Sequence, residues 1–372
     1  MDRIIATTFA ISIGASAFYV FESGLPQPFL VILVGALMLF GISYVGQLRV
    51  RPHLAEPGVF FILSLLIALL VDAAWYLIIG EQRFVLSAFQ HVANLAVLVG
   101  CALLFRHYRD QLHGFQALGW VILAVKLLIV VAFILGIGRF DVFPRYNFFF
   151  NDPNQMAYWL ICMSVVLFLF NRDRPTLLLL DVLVSLLPIL VSMSRSGAIG
   201  FALYGLGVLV HLLQSSRQRW LRIILLSVIV LVGAAAGSTA FTYFAGGLDD
   251  ELTLIRRFEL LDLEEQLSDR GYLRILTYPE YIFTGAGNGA HERFGTAYEV
   301  HSTVMGILFH YGIAAFVCFF GAFLFCLKRA NLATRLVLLA PLFYGLSTYG
   351  FRTPTFWVMI ATIVVLSKPQ NP

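Results

Sequence analysis

Long runs of apolar residues recur along almost the whole chain. A run of about 20 such residues is long enough to cross a hydrocarbon core about 30 Å thick as an α-helix. Backbone groups in lipid must satisfy their own hydrogen bonds, so we interpret these runs as transmembrane helices; the period-two alternation typical of a membrane β-barrel is absent. The pattern predicts about twelve spans, at residues 4–21, 28–48, 58–80, 84–105, 116–138, 154–170, 176–193, 196–213, 221–244, 302–327, 332–349 and 354–368.

The composition agrees with a membrane protein. Hydrophobic residues make up 60% of the 372 residues and charged residues only 12%, against about 25% charged residues in a soluble domain. The first apolar run is too long for a signal-peptide core, and we expect it to remain as a span. The four cysteines fall within spans and show no metal or redox spacing. The predicted fold is therefore an all-α polytopic membrane protein, with residues 1–372 forming one domain.

One polar segment, residues 245–300, interrupts the apolar series between the ninth and tenth spans. It carries 11 of the 21 acidic residues and 5 of the 25 basic ones. Residues 251–267 have apolar side chains at helical spacing and acids on the other face, which predicts an amphipathic helix on the membrane or on the bundle. A second helix is predicted over about residues 268–283, followed by a flexible glycine loop at 284–290. So much charge in one loop favours a functional role over a plain scaffold.

The distribution of lysine and arginine predicts which loops face the cytoplasm. With the N-terminus inside, the cytoplasmic loops and termini hold 14 basic residues and the opposite short loops hold 5. This arrangement places both termini in the cytoplasm. It places the 139–153 loop, the 192–197 turn and the 245–300 loop together outside, which is the periplasm if the membrane is a bacterial inner membrane. The net charge of +4 follows from the inside bias and indicates no nucleic-acid partner.

Three arginines on the predicted outer side are candidates for anion binding. Arg195 lies in a Ser-Met-Ser-Arg-Ser-Gly turn, against the inside bias, and ionisable groups at membrane depth are functional candidates. Guanidinium groups bind phosphate through two parallel hydrogen bonds and keep their charge. Arg270, with Arg274 one turn later on the same predicted helix face, forms a second basic pair. The plainer alternatives are a helix-end anchor for Arg195 and simple balancing of nearby acids for the pair.

Other ionisable residues lie at the loop end and inside the spans. His301 precedes the tenth span and can exchange a proton near neutral pH, and Glu299 is placed to orient it or to act as base. The plainer interpretation of His301 is a packing residue at the interface. Asp72, His91 and Lys126 fall within spans, where an unpaired charge is costly, so we expect each to be paired. A proton relay, which would suit a transporter, is the alternative.

Four short segments within about residues 145–320 resemble, in their order, the O-antigen ligase and Wzy-type polymerase superfamily of bacterial surface-glycan assembly. The N-terminal spans match that superfamily only in hydropathy. The segments are Phe150-Asn-Asp-Pro-Asn154; Ser194-Arg195-Ser-Gly197; Asp269-Arg270-Gly-Tyr-Leu-Arg-Ile275 with Tyr278-Pro-Glu and Gly285-Ala-Gly287; and His301-Ser302 with Gly312 in the following span.

The resemblance implies a GT-C-like integral-membrane glycosyltransferase that needs no metal or cofactor. Its substrates would be undecaprenyl-diphosphate-linked oligosaccharides, and a flippase and a chain-length regulator would be its partners. Arg195 and Arg270 would bind the diphosphate, with Arg274 as a helper, because fixed cations stabilise the negative charge that the leaving group gains. His301 would contact or deprotonate the acceptor hydroxyl, with Glu299 as its partner.

The residues leave several functions open. The first is a polymerase that transfers a growing lipid-linked glycan to a lipid-linked repeat unit. The second is a ligase that transfers the glycan to lipid A–core, although the acidic loop would repel a phosphate-rich core. The third is a transporter without chemistry, against which the lack of a visible internal repeat counts. A non-catalytic scaffold would tolerate replacement of Arg195, Arg270 and His301.

Overall fold

The computed structural model describes residues 2–21, 26–44, 56–108, 113–140, 145–215, 270–288, 291–295 and 299–366. Within these ranges the protein is helical, and no strand occurs apart from one isolated β-bridge. The helices are α1 (Asp2–Ala15), α2 (Pro28–Tyr44), α3 (Pro57–Ile79), α4 (Gln82–His107), α5 (His113–Ile134), α6 (Pro153–Phe170), α7 (Pro175–Ser192), α8 (Arg195–Ser215), the short α9 (Leu273–Thr277) and α10 (Tyr281–Thr284), α11 (Thr303–Arg329), α12 (Leu332–Tyr344) and α13 (Pro354–Leu366).

Every predicted span inside the described ranges corresponds to a helix. Seven helices, α3 to α8 and α11, are long and apolar enough to cross a membrane, and α1, α2, α12 and α13 are shorter apolar helices. The ninth predicted span at 221–244 and the amphipathic segment at 251–267 lie outside the described residues. The all-helical membrane architecture is confirmed, whereas the count of twelve spans and the GT-C-like fold stay predictions.

Local sequence signals explain where several helices begin. A proline opens α2, α3, α6, α7 and α13, because the first helical position needs no N–H group and the proline ring fixes a helical φ. Asp152 caps α6, and its carboxylate accepts a hydrogen bond from the Asn154 backbone N–H at 2.6 Å. The sequence Asp152-Pro-Asn-Gln155 predicts this N-cap as part of a capping box with proline at the first helical position. The cap is confirmed, but its side-chain bond goes to the Asn154 N–H rather than to Gln155.

The centre of the bundle is formed by α6 and α13. In α6, 89% of the residues are buried. In α13, every residue from Thr355 onward is buried. Beside them, α8 packs closely on α12 through small residues. A Cβ atom on Gly200 would lie 3.0 Å from the Ala340 carbonyl, and one on Gly207 would lie 2.9 Å from the Ala333 carbonyl. Glycine at these positions allows the two backbones to approach.

A buried ion pair joins four helices in the bundle interior. The Lys126 ammonium donates to Asp181 Oδ1 at 2.6 Å and to the hydroxyls of Ser164 and Ser185 at 2.5 and 3.0 Å. The Tyr204 hydroxyl donates to the second Asp181 oxygen at 2.8 Å. The expectation that Lys126 is paired is confirmed, and its partners lie on α6 and α7, with Tyr204 on α8.

The loops predicted to lie together are found at one end of the bundle. The Tyr146 N–H donates to the Val191 carbonyl at 3.0 Å, which joins the 139–153 loop to the last turn of α7. The Thr303 N–H donates to the Gly345 carbonyl at 2.6 Å, which joins the start of α11 to the end of α12. The side of the membrane that this end faces stays a prediction.

We predict that Lys126→Met destabilises the protein by about 3–5 kcal/mol, because it leaves Asp181 charged and unpaired in an apolar interior. The double variant K126M/D181L should recover much of this loss, since apolar side chains then replace both charges. Thermal unfolding of the purified protein in lipid nanodiscs measures both effects. Equal stability of K126M and the wild type would contradict the assignment.

Candidate functional site

A cavity of about 1090 Å³ opens at the loop end of the bundle. One part of its wall is polar and comes from the start of α6, the turn before α9, the start of α11 and the segment between α12 and α13. The other part is apolar and comes mainly from α2 and α4. The polar side chains include Asn151, Asp152, Asn154, Gln155, Arg270, His301 and Arg352, and the apolar ones include Leu30, Val31, Val34, Met38, Leu86, Phe89 and Ala93.

The apolar wall is continuous with the outer surface of the bundle. Val31 and Met38 on α2 and Phe89 on α4 line the cavity, yet they are 71%, 63% and 69% exposed. On a helix that lies in a membrane, such side chains contact lipid. The cavity is thus amphipathic, with one side open towards the bilayer.

Arg270 reaches the cavity from a turn rather than from a helix. Gly271 has φ +70°, a left-handed conformation that favours glycine, and α9 begins only at Leu273. The Arg270 guanidinium donates to the Ser347 carbonyl at 2.6 Å, which fixes it to the segment after α12. The prediction that Arg270 and Arg274 share one helix face is therefore wrong, because the turn at Gly271 separates them.

Arg274 does not line the cavity. Its side chain is buried, and a Cβ on Gly271 would lie 3.4 Å from its guanidinium carbon. Burial lowers the pKa of Arg274, while the nearby Glu299 raises it. Arg274 thus lies beneath the turn that carries Arg270.

Arg195 is the first residue of α8 and lies close to Arg270. Its neighbour Ser196 shares a hydrogen bond with the Ser347 hydroxyl, and Arg270 donates to the carbonyl of the same residue. The Arg195 and Arg270 guanidinium groups are near enough to repel each other electrostatically. The structure therefore brings together two arginines that are 75 positions apart in the chain, although Arg195 itself is not in the cavity wall.

Arg145 is a third cation in this cluster, and sequence reasoning missed it. It donates to the Ser192 carbonyl at 3.1 Å and to Asn154 Oδ1 at 3.0 Å. Burial lowers the pKa of Arg145, as do Arg270 and Arg195, and Asp152 opposes them. The signal that could have found it is the one applied to Arg195, a cation on the predicted outer side against the inside bias.

His301 lies in the cavity wall immediately before α11. Ser302 caps α11 by accepting from the Met305 N–H at 3.2 Å, and the His301 N–H donates to the Arg270 carbonyl at 3.1 Å. Burial lowers the pKa of His301 below its ordinary 6.5, as do Arg270 and Arg352, whereas Glu299 opposes the change. A lowered pKa favours the neutral imidazole, which is the form that can accept a proton.

Glu299 is paired with a residue that sequence reasoning did not select. Its carboxylate lies 2.7 Å from the Arg352 guanidinium. Arg352 lines the cavity, and Glu299 is not in the cavity wall. Glu299 influences His301 through its charge, and its ion-pair partner is Arg352.

The glycine loop at 284–290 is wedged into the bundle over its described part, so the prediction of a flexible loop is wrong. α11 breaks at Gly312, with φ 78° and ψ 175°. Near this break the carbonyls of Phe309 and His310 each accept a hydrogen bond, at 2.8 Å, from Ala286 N–H and Gly287 N–H. The loop is held by the helix backbone.

Asp72 and His91 anchor the same glycine loop from the other side. One Asp72 oxygen accepts from the Asn288 N–H at 2.7 Å, and the other lies 3.1 Å from His91 Nε2. The expectation that Asp72 and His91 are paired is confirmed. Neither residue lines the cavity.

The helix predicted over 268–283 is also corrected in its described part. It is divided into α9 and α10 at Tyr278 and Pro279. Proline lacks the N–H group that a helix interior needs, and it disfavours the helical conformation of the residue before it.

We predict that Gly285→Ala loosens the glycine loop. A Cβ at this position would lie 2.6 Å from the His310 carbonyl, and the residue has φ +74°. Strain of this kind costs about 1–3 kcal/mol. Hydrogen exchange of residues 281–288 should accelerate in the variant, and Gly321→Ala, where a Cβ meets nothing within 4 Å, is the matched control. Unchanged exchange in G285A would contradict the docked loop.

We predict that His301 titrates below pH 6.5, and that its neighbours shift its pKa in opposite directions. Glu299→Gln removes the charge that raises this pKa, so the pKa should fall further; Arg270→Gln should raise it. Histidine NMR of the protein in nanodiscs, with H301N to assign the signal, measures both shifts. Arg335→Gln, at the opposite end of the bundle, should leave the signal unmoved. A wild-type pKa above 6.5 would refute the electrostatic description.

Comparison with known proteins gives no relative from which function can be transferred. No protein-family model, curated protein or solved structure matches the chain. The functional conclusion therefore depends on the residues of the cavity and on their surroundings.

Proposed function

We propose that this protein is a metal-independent membrane glycosyltransferase that polymerises a surface polysaccharide. It would transfer an undecaprenyl-diphosphate-linked glycan chain to a lipid-linked repeat unit at the periplasmic face of a bacterial inner membrane. A flippase that delivers the repeat unit and a chain-length regulator would be its partners.

The observation that carries the proposal is the amphipathic cavity. A lipid-linked sugar diphosphate has an apolar tail, a doubly charged linker and a hydroxyl-rich head. The groove between α2 and α4 offers exposed apolar side chains for the tail. The polar end offers Arg270, with Arg145 and Arg195 close behind it. Clustered arginines repel one another, and a diphosphate relieves that repulsion.

The residues of the cavity can account for each step of the transfer, including the bond that breaks, the bond that forms and the proton that moves. The bond between the anomeric carbon of the donor sugar and the diphosphate oxygen breaks, and the electron pair leaves with the diphosphate. Arg270 stabilises the negative charge that develops on this oxygen. Arg195, which lies behind the cavity wall, adds to this stabilisation through its positive charge. The neutral His301 imidazole takes the proton from the acceptor hydroxyl, whose oxygen forms the new bond to the anomeric carbon. Glu299 stabilises the imidazolium that results, and Arg274 supports the turn that holds Arg270.

The ligase and transporter alternatives predict different behaviour. A ligase uses the same donor chemistry and differs in its acceptor, lipid A–core. A transporter would be favoured if the buried ionisable groups lined the cavity. Asp72, His91 and Lys126 are instead paired with residues outside the cavity wall, so the enzyme is the better-supported proposal.

We predict that the purified protein in nanodiscs converts undecaprenyl-diphosphate-linked repeat units into a ladder of longer glycans. Arg270→Gln and His301→Asn should each reduce the rate about 10²- to 10³-fold, the loss typical of one transition-state contact. Because the pKa of His301 is lowered from its ordinary 6.5, the wild-type rate should fall only at a pH below that value, where protonation of His301 removes the base. Arg335→Gln serves as the matched control.

Two results would overturn the polymerase. Transfer to lipid A–core without a ladder would identify a ligase. A ladder made equally well by R270Q and H301N would show that the cavity residues do not carry the reaction.

A further inference from the structure

The cavity has a second polar wall, and its chemistry differs from that of the arginine cluster. This wall comes from α4, from the segment between α12 and α13, and from the first turn of α13. It carries one charged side chain, Arg352, among amide, hydroxyl and aromatic groups. Its members are Asn94, Thr348, Tyr349, Arg352, Thr353 and Thr355.

Arg352 is a cation whose charge is already balanced. Glu299 lies 2.7 Å from it, and the Arg352 and Glu299 side chains are only 26% and 13% exposed. Burial acts to lower the pKa of Arg352, but Glu299 together with Tyr349 and Tyr311 outweighs burial and holds the pKa above its ordinary value. The guanidinium thus remains a strong hydrogen-bond donor in a pair of no net charge.

The donor is also held rigidly. Asn94 Nδ2 donates to the Arg352 carbonyl at 3.2 Å, and the guanidinium lies 5.1 Å from the centroid of the Tyr349 ring. The Tyr349 hydroxyl donates in turn to the Tyr311 hydroxyl at 3.0 Å. A donor fixed in this way loses little conformational entropy when it binds a ligand.

Arg270 provides the contrast within the same cavity. Among the described residues it has no carboxylate in ion-pair contact, and it lies beside two further arginines. A cluster of like positive charges favours a diphosphate, whereas a guanidinium already paired with a carboxylate favours a neutral acceptor of hydrogen bonds. His301 lies within electrostatic range of both Arg270 and Arg352.

We propose that Arg352, positioned by Glu299, forms an acceptor subsite that binds the hydroxyl groups of a neutral sugar. The inference rests on the proposed glycosyl transfer and divides its cavity into a diphosphate wall at Arg270 and a sugar wall at Arg352. In this arrangement Arg352 is a specificity-determining residue and Glu299 is a positioning residue.

Two competitor probes test this division in the polymerisation assay. Inorganic pyrophosphate tests the diphosphate wall, and the free oligosaccharide released from the repeat unit by mild acid tests the sugar wall. The charge-matched double variant E299Q/R352Q, which removes both members of the ion pair, should weaken inhibition by the oligosaccharide about 10- to 100-fold, the loss expected for hydrogen bonds from a charged donor, and leave inhibition by pyrophosphate unchanged. Arg270→Gln should weaken inhibition by pyrophosphate and leave inhibition by the oligosaccharide unchanged. Because this variant is slow, its residual rate is followed over longer times.

Glu299→Gln gives a signature that a purely structural role would not produce. It leaves the Arg352 charge without compensation, so pyrophosphate should inhibit this variant more strongly than the wild type. Thermal unfolding of each variant confirms that it is folded, and Arg352→Lys should restore part of the oligosaccharide inhibition.

The outcomes separate the two proposals. No glycan ladder from the wild type would remove the proposed function. A wild-type ladder, with E299Q/R352Q inhibited by the oligosaccharide as strongly as the wild type, would remove the sugar subsite alone. Weakened inhibition of the charge-matched variant E299Q/R352Q by pyrophosphate would show that Arg352 binds phosphate instead.

Discussion

The pairing of charge in an apolar interior is the constraint on which this structure depends. Burying a charge without a partner costs several kcal/mol of free energy, so charged side chains at membrane depth form ion pairs or hydrogen bonds with one another. Lys126 and Asp181 join helices in this way, and Asp72 with His91 holds the glycine loop. These pairs connect elements that are distant along the chain.

The arginine cluster departs from this pattern of closed pairs. Arg145, Arg195 and Arg270 lie near enough to act on one another, at the end of the bundle where α6, α8 and α11 begin. Gathering like charges costs electrostatic free energy, which a bound anion would lower. Groups of charged side chains that shift one another's pKa values are typical of functional sites. Here the arginine cluster lies beside the apolar part of the cavity, which is open towards the bilayer.

The glycine loop connects the cavity to the rest of the bundle. Its described residues are wedged into the break of α11 at Gly312, and the chain on either side of it carries Arg270 and His301. Backbone N–H groups of this loop form hydrogen bonds to carbonyls of α11 instead of being exposed to water. The position of each site residue thus depends on contacts made far from it in sequence.

The sequence by itself determined the helical membrane architecture, the capping of α6, the pairing of membrane-depth charges and the candidacy of Arg195, Arg270 and His301, because periodicity, charge bias and burial cost are local properties. It did not determine that Asp181 partners Lys126, that Arg352 partners Glu299, or that Arg145 joins the cluster, since partners across helices depend on packing. It also suggested a flexible glycine loop and a shared face for Arg270 and Arg274. Tertiary structure decided both differently, because a broken helix supplied carbonyls to the loop and the left-handed Gly271 turned the chain before α9.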